Sequence, residues 1–154
     1  MKKDPRHRAR EAALQILYQW EIGGRDVDRA AETLFTAQWP DTEPPPDDLR
    51  AFASSLAHDT VEQLDAIDPL IAETADRWRP ERMAVLDRLI LRMAICELLR
   101  DAAPPPAVVI NEALELARTF STEDAVKFIN GMLDAIRKKL DARHDRNGME
   151  HKGH

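Results

Sequence analysis

An all-α fold of about seven helices in two small packed bundles is what this sequence predicts, and three observations predict it. Apolar residues recur at intervals of three and four along most of the chain, the period of a helix that buries one face. No stretch alternates as a half-buried strand does. Only five glycines and ten prolines occur in 154 residues, six of the prolines in two Pro-Pro-Pro runs, so long helices are separated by hard stops. With 44% apolar and 32% charged residues the chain is globular rather than disordered.

The first helix starts with Asp4 as N-cap and Pro5 at the first helical position, where its missing N–H costs nothing. Ala9, Ala13, Ile16, Leu17 and Trp20 form its buried stripe, and Gly23-Gly24 ends it. A second helix spans Asp28 to Gln38 on Ala31, Leu34 and Phe35, and Pro40 stops it. Residues 40–48 form a stiff acidic connector. Asp47 or Asp48 then caps a long helix with the stripe Leu49, Phe52, Ala53, Leu56, Thr60 and Leu64. Asp68-Pro69 predicts a break, followed by a short helix on Leu70, Ile71, Thr74, Ala75 and Trp78. Pro80 opens the next element, apolar almost all round from Met83 to Leu99 and therefore central.

Residues 101–106 form the second linker. Val109, Ile110, Ala113, Leu114 and Ala117 mark the sixth helix. Ser121 or Thr122 caps the last, with Glu123 and Asp124 in its first turn, where negative charge suits the macrodipole. Its stripe is Ala125, Ile129, Met132, Leu133, Ile136 and Leu140, and Gly131 inside it predicts close approach of another helix. Residues 1–141 are expected to form one domain, divided near Trp78–Pro80 into an N-terminal group of about 1–79 and a C-terminal group of about 80–141. The segment 142–154 is expected to be a disordered tail.

Composition narrows function. Arg88, Arg92 and Glu97 interrupt the most apolar stretch, so nothing is long enough to span a bilayer. No apolar run follows Met1-Lys2-Lys3, so no secretory signal is expected. The single cysteine, Cys96, fits a reducing cytoplasm and, inside an apolar helix, a buried structural thiol. There is no Gly-rich phosphate loop, Gly-x-Ser-x-Gly, His-Glu-x-x-His or cysteine pair, so neither catalysis nor a cofactor or metal is expected. His7 and His58 lack ligand partners at helical spacing, and His144, His151 and His154 lie in the tail.

What remains is binding. The net charge of −6 hides an uneven distribution. Residues 1–10 hold five cations against Asp4, residues 137–154 hold six against three acids, and the stretch between holds 11 against 24. Contact with a polyanion is therefore confined to a patch. Lys2, Lys3, Arg6, Arg8 and Arg10 supply the charge density that neutralising phosphates requires, although cations at a helix N-terminus oppose its dipole. Tyr18 and Phe120 offer rings for stacking, or pack at the edge of the core.

Four blocks resemble the NusB family of transcription antitermination factors. They are residues 6–20, from Arg6-His7-Arg8-Ala9-Arg10 to Leu17-Tyr18-Gln19-Trp20; residues 87–98, opening Asp87-Arg88-Leu89; residues 109–117, with Ile110-Asn111-Glu112-Ala113; and residues 127–133, Lys127-Phe128-Ile129-Asn130-Gly131-Met132-Leu133. Any one alone is weak, but their order and spacing together are specific, covering about residues 6–140. The resemblance implies binding of single-stranded boxA RNA from ribosomal RNA leaders, with NusE as partner and NusA, NusG and RNA polymerase joined through the complex. It places RNA contacts at Lys2, Lys3, Arg6, Arg8, Arg10, Tyr18, Phe120, Asp124, Lys127 and Phe128, and partner contacts at Asp87, Phe120 and Asp124. His7 stands where an arginine is frequent, which weakens the patch at neutral pH. The 40–48 connector and residues 70–82 follow no family pattern. Two rival readings are a homodimeric helical module without RNA binding and a stand-alone relative of the RNA-binding domain of a ribosomal RNA methyltransferase. For the second, a chain ending at His154 is expected to leave no room for a cofactor-binding domain.

Overall fold

The computed structural model describes residues 5–75, 83–100 and 104–152, Pro5 and 147–152 by their backbone alone. Among these residues there are seven helices and no strand: α1 Pro5–Gly23, α2 Val27–Ala37, α3 Asp47–Glu62, α4 Leu64–Thr74, α5 Val85–Leu99, α6 Pro106–Phe120 and α7 Glu123–Lys152. The helix starts and stops follow from local chemistry. Gly24, at φ +64°, takes the left-handed conformation that ends α1. Asp26 caps α2 by accepting the Arg29 N–H at 3.2 Å. Thr122 caps α7 by accepting the Ala125 N–H at 3.1 Å. Pro46 rather than an aspartate occupies the N-cap of α3, leaving Asp47 and Asp48 in the first turn, where they favour the dipole.

Three boundaries differ from the sequence expectation. The chain breaks at Gln63, between α3 and α4, and Pro69 lies inside α4. Pro69 is the sixth of the eleven residues of α4, so it forfeits the hydrogen bond that an N–H there would give the Asp65 carbonyl, and burial of Ile67, Leu70 and Ile71 on either side of it holds the helix in place. The last helix runs on to Lys152, past Ala142, through residues with no proline to stop it. Arg143, on this extension, pairs with Glu73 of α4 at 2.9 Å. Gly131 meets no close neighbour: a Cβ built there would find nothing within 4 Å. The expected Trp78–Pro80 boundary and the Asp4 cap lie outside the described residues.

In the N-terminal part α1 packs on α2 and α3, and in the C-terminal part α5, α6 and α7 pack together with α4 against α5 and α7. Helix α5 joins the two groups by touching α1 and α3 as well. Ten consecutive residues, Arg88 to Glu97, are buried on it, which its nearly all-round apolar sequence requires. Leu14, Ile16 and Leu17 of α1 and Leu89, Ile90, Leu91 and Ile95 of α5 are fully buried in one continuous core. Each such side chain contributes roughly 1.5–3 kcal/mol through burial. Three charges are carried into this core on α5 and each finds a partner. Arg88 pairs with Glu21 of α1 at 2.5 Å, and Arg92 forms a two-point bridge to Asp68 of α4 at 3.0 Å. Glu97 takes Arg10 of α1. These pairs fix the register of α1 and α4 on the central helix. No described helix is long and apolar enough to cross a membrane.

Candidate nucleic-acid interface

Successive residues of an α-helix point about 100° apart, so the cations of α1 cannot all share one face. The structure sends them in three directions. Arg6 and Arg10, one turn apart, both lie over the Phe52 ring of α3, at 4.3 and 5.3 Å from its centre. Arg6 is exposed. Arg10 is only 3% exposed and donates from Nε and Nη2 to the two carboxylate oxygens of Glu97, both at 2.8 Å. Arg10 is therefore withdrawn from the expected RNA contacts, because its guanidinium is spent inside the core.

His7 turns toward α6. It lies 2.8 Å from Glu112 through Nδ1 and 3.0 Å from Glu11 through Nε2, largely shielded from solvent. Glu11, one turn along the same helix, thus takes part in holding it. Arg8 faces a third way. Its guanidinium stacks over the Trp39 ring at 5.4 Å and is paired with Asp41 of the connector, its side chain remaining 37% exposed. Lys2 and Lys3 lie outside the described residues.

Arg8 borders a groove of about 390 Å³. Helix α1 contributes Arg8, Glu11, Ala12, Leu14, Gln15 and Tyr18, each exposed member one or two turns from the next along the helix. Trp39 and Pro40, just beyond α2, Leu86 of α5 and Phe120 at the end of α6 complete the lining. Tyr18 and Phe120, the two rings singled out in the sequence, thus meet at one site with Arg8, at 42% and 43% exposure. A mostly apolar cleft with two accessible rings, one guanidinium and the polar ends of Glu11 and Gln15 suits a flat heteroaromatic group beside an anion.

Asp87 accepts a hydrogen bond from the Ser121 hydroxyl, tying the start of α5 to the α6–α7 corner next to Phe120. Its carboxylate therefore sets the position of that corner. Asp124, Lys127 and Phe128 are exposed on the first turns of α7 and do not line the groove. Trp39, Leu86, Gln15 and Asp41 were missed in the sequence. For Trp39 the available signal was its place beside Pro40 at a helix stop, where a large ring has no stripe to join. Cys96 is buried, which pushes its thiol pKa up, an effect the Thr60 hydrogen bond partly offsets. Such a thiol is structural rather than nucleophilic.

Fold and groove together define an all-helical binding protein, with a cationic helix flanking an aromatic cleft. The family model described as NusB family matches residues 7–138. Two curated relatives, both transcription antitermination proteins NusB, are similar over nearly their whole length. The one from Koribacter versatilis is 43% identical over 142 residues, 92% of this chain and 94% of its own. The one from Solibacter usitatus is 44% identical over 135 residues, 88% and 90% of the two chains. Among solved structures, NusB of T. maritima superposes with a TM-score of 0.76 at 32% identity, covering 90% of this chain and 93% of its own. The crystal structure of antitermination factors NusB and NusE in complex with dsRNA gives 0.75 at 25% identity, covering 88% and 97%. The chain belongs to the NusB family.

Proposed function

We propose that this chain is an RNA-binding transcription antitermination factor that takes boxA RNA of ribosomal RNA leaders together with NusE. Through that complex it joins NusA, NusG and RNA polymerase in the cytoplasm; it performs no catalysis. The observation that carries the RNA site is the meeting of Arg8, Tyr18 and Phe120 at one groove, with Arg6 exposed nearby on the same helix. The arginines supply phosphate attraction, and a ring stacked on a base contributes about 1–3 kcal/mol. The acidic middle of the chain repels RNA elsewhere and confines the contact to this end.

The related NusB–NusE complex holds dsRNA. For the present groove, unpaired bases are the better fit, since a base must leave its stack to lie against Tyr18 or Phe120. Asp124, Lys127 and Phe128 on α7 extend the surface, and Phe120 with the Asp87–Ser121 corner borders the ground proposed for NusE. Fluorescence anisotropy with labelled boxA RNA, a scrambled control and added NusE tests this reading. Preferential binding of boxA, tightened by NusE through positive coupling, is the expected result. Equal weak binding of both RNAs, with or without NusE, would refute it.

A further inference from the structure

Arg8 is the one exposed arginine of α1 that reaches the groove, yet its guanidinium is held by a carboxylate of the chain itself. The carboxylate belongs to Asp41, which follows Trp39 and Pro40, and those two residues line the groove. The guanidinium is thus held on two sides, by the Trp39 ring face and by one Asp41 carboxylate oxygen, much as a stacked base and its phosphate would hold it. Asp41 is the second residue of the 40–48 connector, whose further acidic residues Glu43, Asp47 and Asp48 are all exposed. We propose that Asp41 is an internal competitor for the phosphate that Arg8 would otherwise take, so the connector sets how tightly RNA is gripped.

The inference rests on the RNA reading of the groove. Asp41 takes the Nη2 edge of the guanidinium through one carboxylate oxygen, and a phosphate approaching that edge meets both an occupied donor and a like charge, so the two compete for it. RNA must displace Asp41 and bring its phosphates past the rest of the connector. Both partners are partly exposed, which makes the contact weak enough to open. Pro40 and Pro44–Pro46 limit the conformations of the connector and hold Asp41 close to Arg8 even while the pair is broken.

The test is an anisotropy titration of boxA RNA at low salt with the wild-type chain, Asp41→Asn, Arg8→Ala, the double variant and Glu43→Gln. The last removes an equal charge from the connector outside the Arg8 pair. Asp41→Asn is expected to tighten binding about two- to fivefold, the range of one exposed ion pair. That gain is expected to vanish in the Arg8→Ala background and to exceed the effect of Glu43→Gln. Unchanged affinity for Asp41→Asn, alongside weaker binding by Arg8→Ala, overturns the competitor and leaves the RNA site standing. A gain that persists without Arg8 overturns it in favour of a general loss of repulsion. Arg8→Ala binding as well as wild type removes the RNA site and the competitor together.

Discussion

Arg10 and Glu97 stand 87 positions apart in sequence and meet in the core through two parallel hydrogen bonds of 2.8 Å. Both are nearly inaccessible, and Glu112 lies 3.9 Å from the same guanidinium. Taking two charges out of water is costly, so each depends on the other remaining. What resembles the end of a basic patch is a pin fastening α1 to α5 and α6.

Replacing Arg10 by alanine is therefore expected to destabilise the fold by about 3–5 kcal/mol, because Glu97 is left buried and unpaired. Arg10→Lys should recover only part of this, since lysine lacks the planar fork. Urea denaturation measures both. Loss of less than about 1 kcal/mol for the alanine variant would contradict the pin.

Gly131→Ala should stabilise the protein by about 1 kcal/mol. The new methyl meets nothing within 4 Å, and alanine restricts the unfolded chain more than glycine does. A rise in the thermal midpoint is expected; a fall would show that this face of α7 tolerates no side chain.

The His58–Asp28 contact ties α3 to α2 at 3.1 Å. The hydrogen bond that the His58 ring donates to Asp28 is the main cause of a His58 pKa above 6.5, with desolvation opposing it and the charges of Asp28, Glu62 and Asp59 adding. A pKa raised by folding gives stability that is present below the unfolded value and lost as pH rises through the folded one. Both side chains are well exposed, so the effect is screened to about 0.5 kcal/mol or less. Asp28→Asn should lower stability more at pH 5.5 than at pH 8.5, where only the favourable first-turn charge of α2 is lost, and the His58 ring protons should titrate below their wild-type midpoint by NMR. An unshifted midpoint would exclude the pairing.

Tyr18→Ala and Phe120→Ala should each weaken RNA binding by about 1–3 kcal/mol, with little change in melting temperature because both rings are exposed. A large loss of stability from either would mean that the ring serves the core.

Helix existence was legible in the sequence wherever proline or glycine punctuates it, as at Pro5, Gly24 and Pro106. The α3–α4 break was not, because Gln63 carries no such signal and Pro69, which does, is absorbed within α4. The site was half legible. Spacing put Tyr18 off the buried stripe, and the groove places it beside Phe120 and Arg8. Spacing also put Arg6 and Arg10 on one face, but only the packing of α5 reveals that Arg10 ends on a carboxylate from a distant segment. A clue was available: Glu97, flanked by apolar residues from Met93 to Leu99, needs a buried cation, and Arg10 lies beside the Ala9/Ala13 stripe. Asp41 was concealed for the same reason, since an acidic connector says nothing about which cation it will meet.

The most direct test of the RNA grip is the salt dependence of boxA affinity for Arg6→Ala and Arg8→Ala, with thermal melts alongside. Each variant is expected to bind more weakly at an essentially unchanged melting temperature. The slope of log affinity against log salt should fall by about 0.7 for each phosphate contact removed. Wild-type affinity and slope in both variants would contradict RNA binding by the first turns of α1.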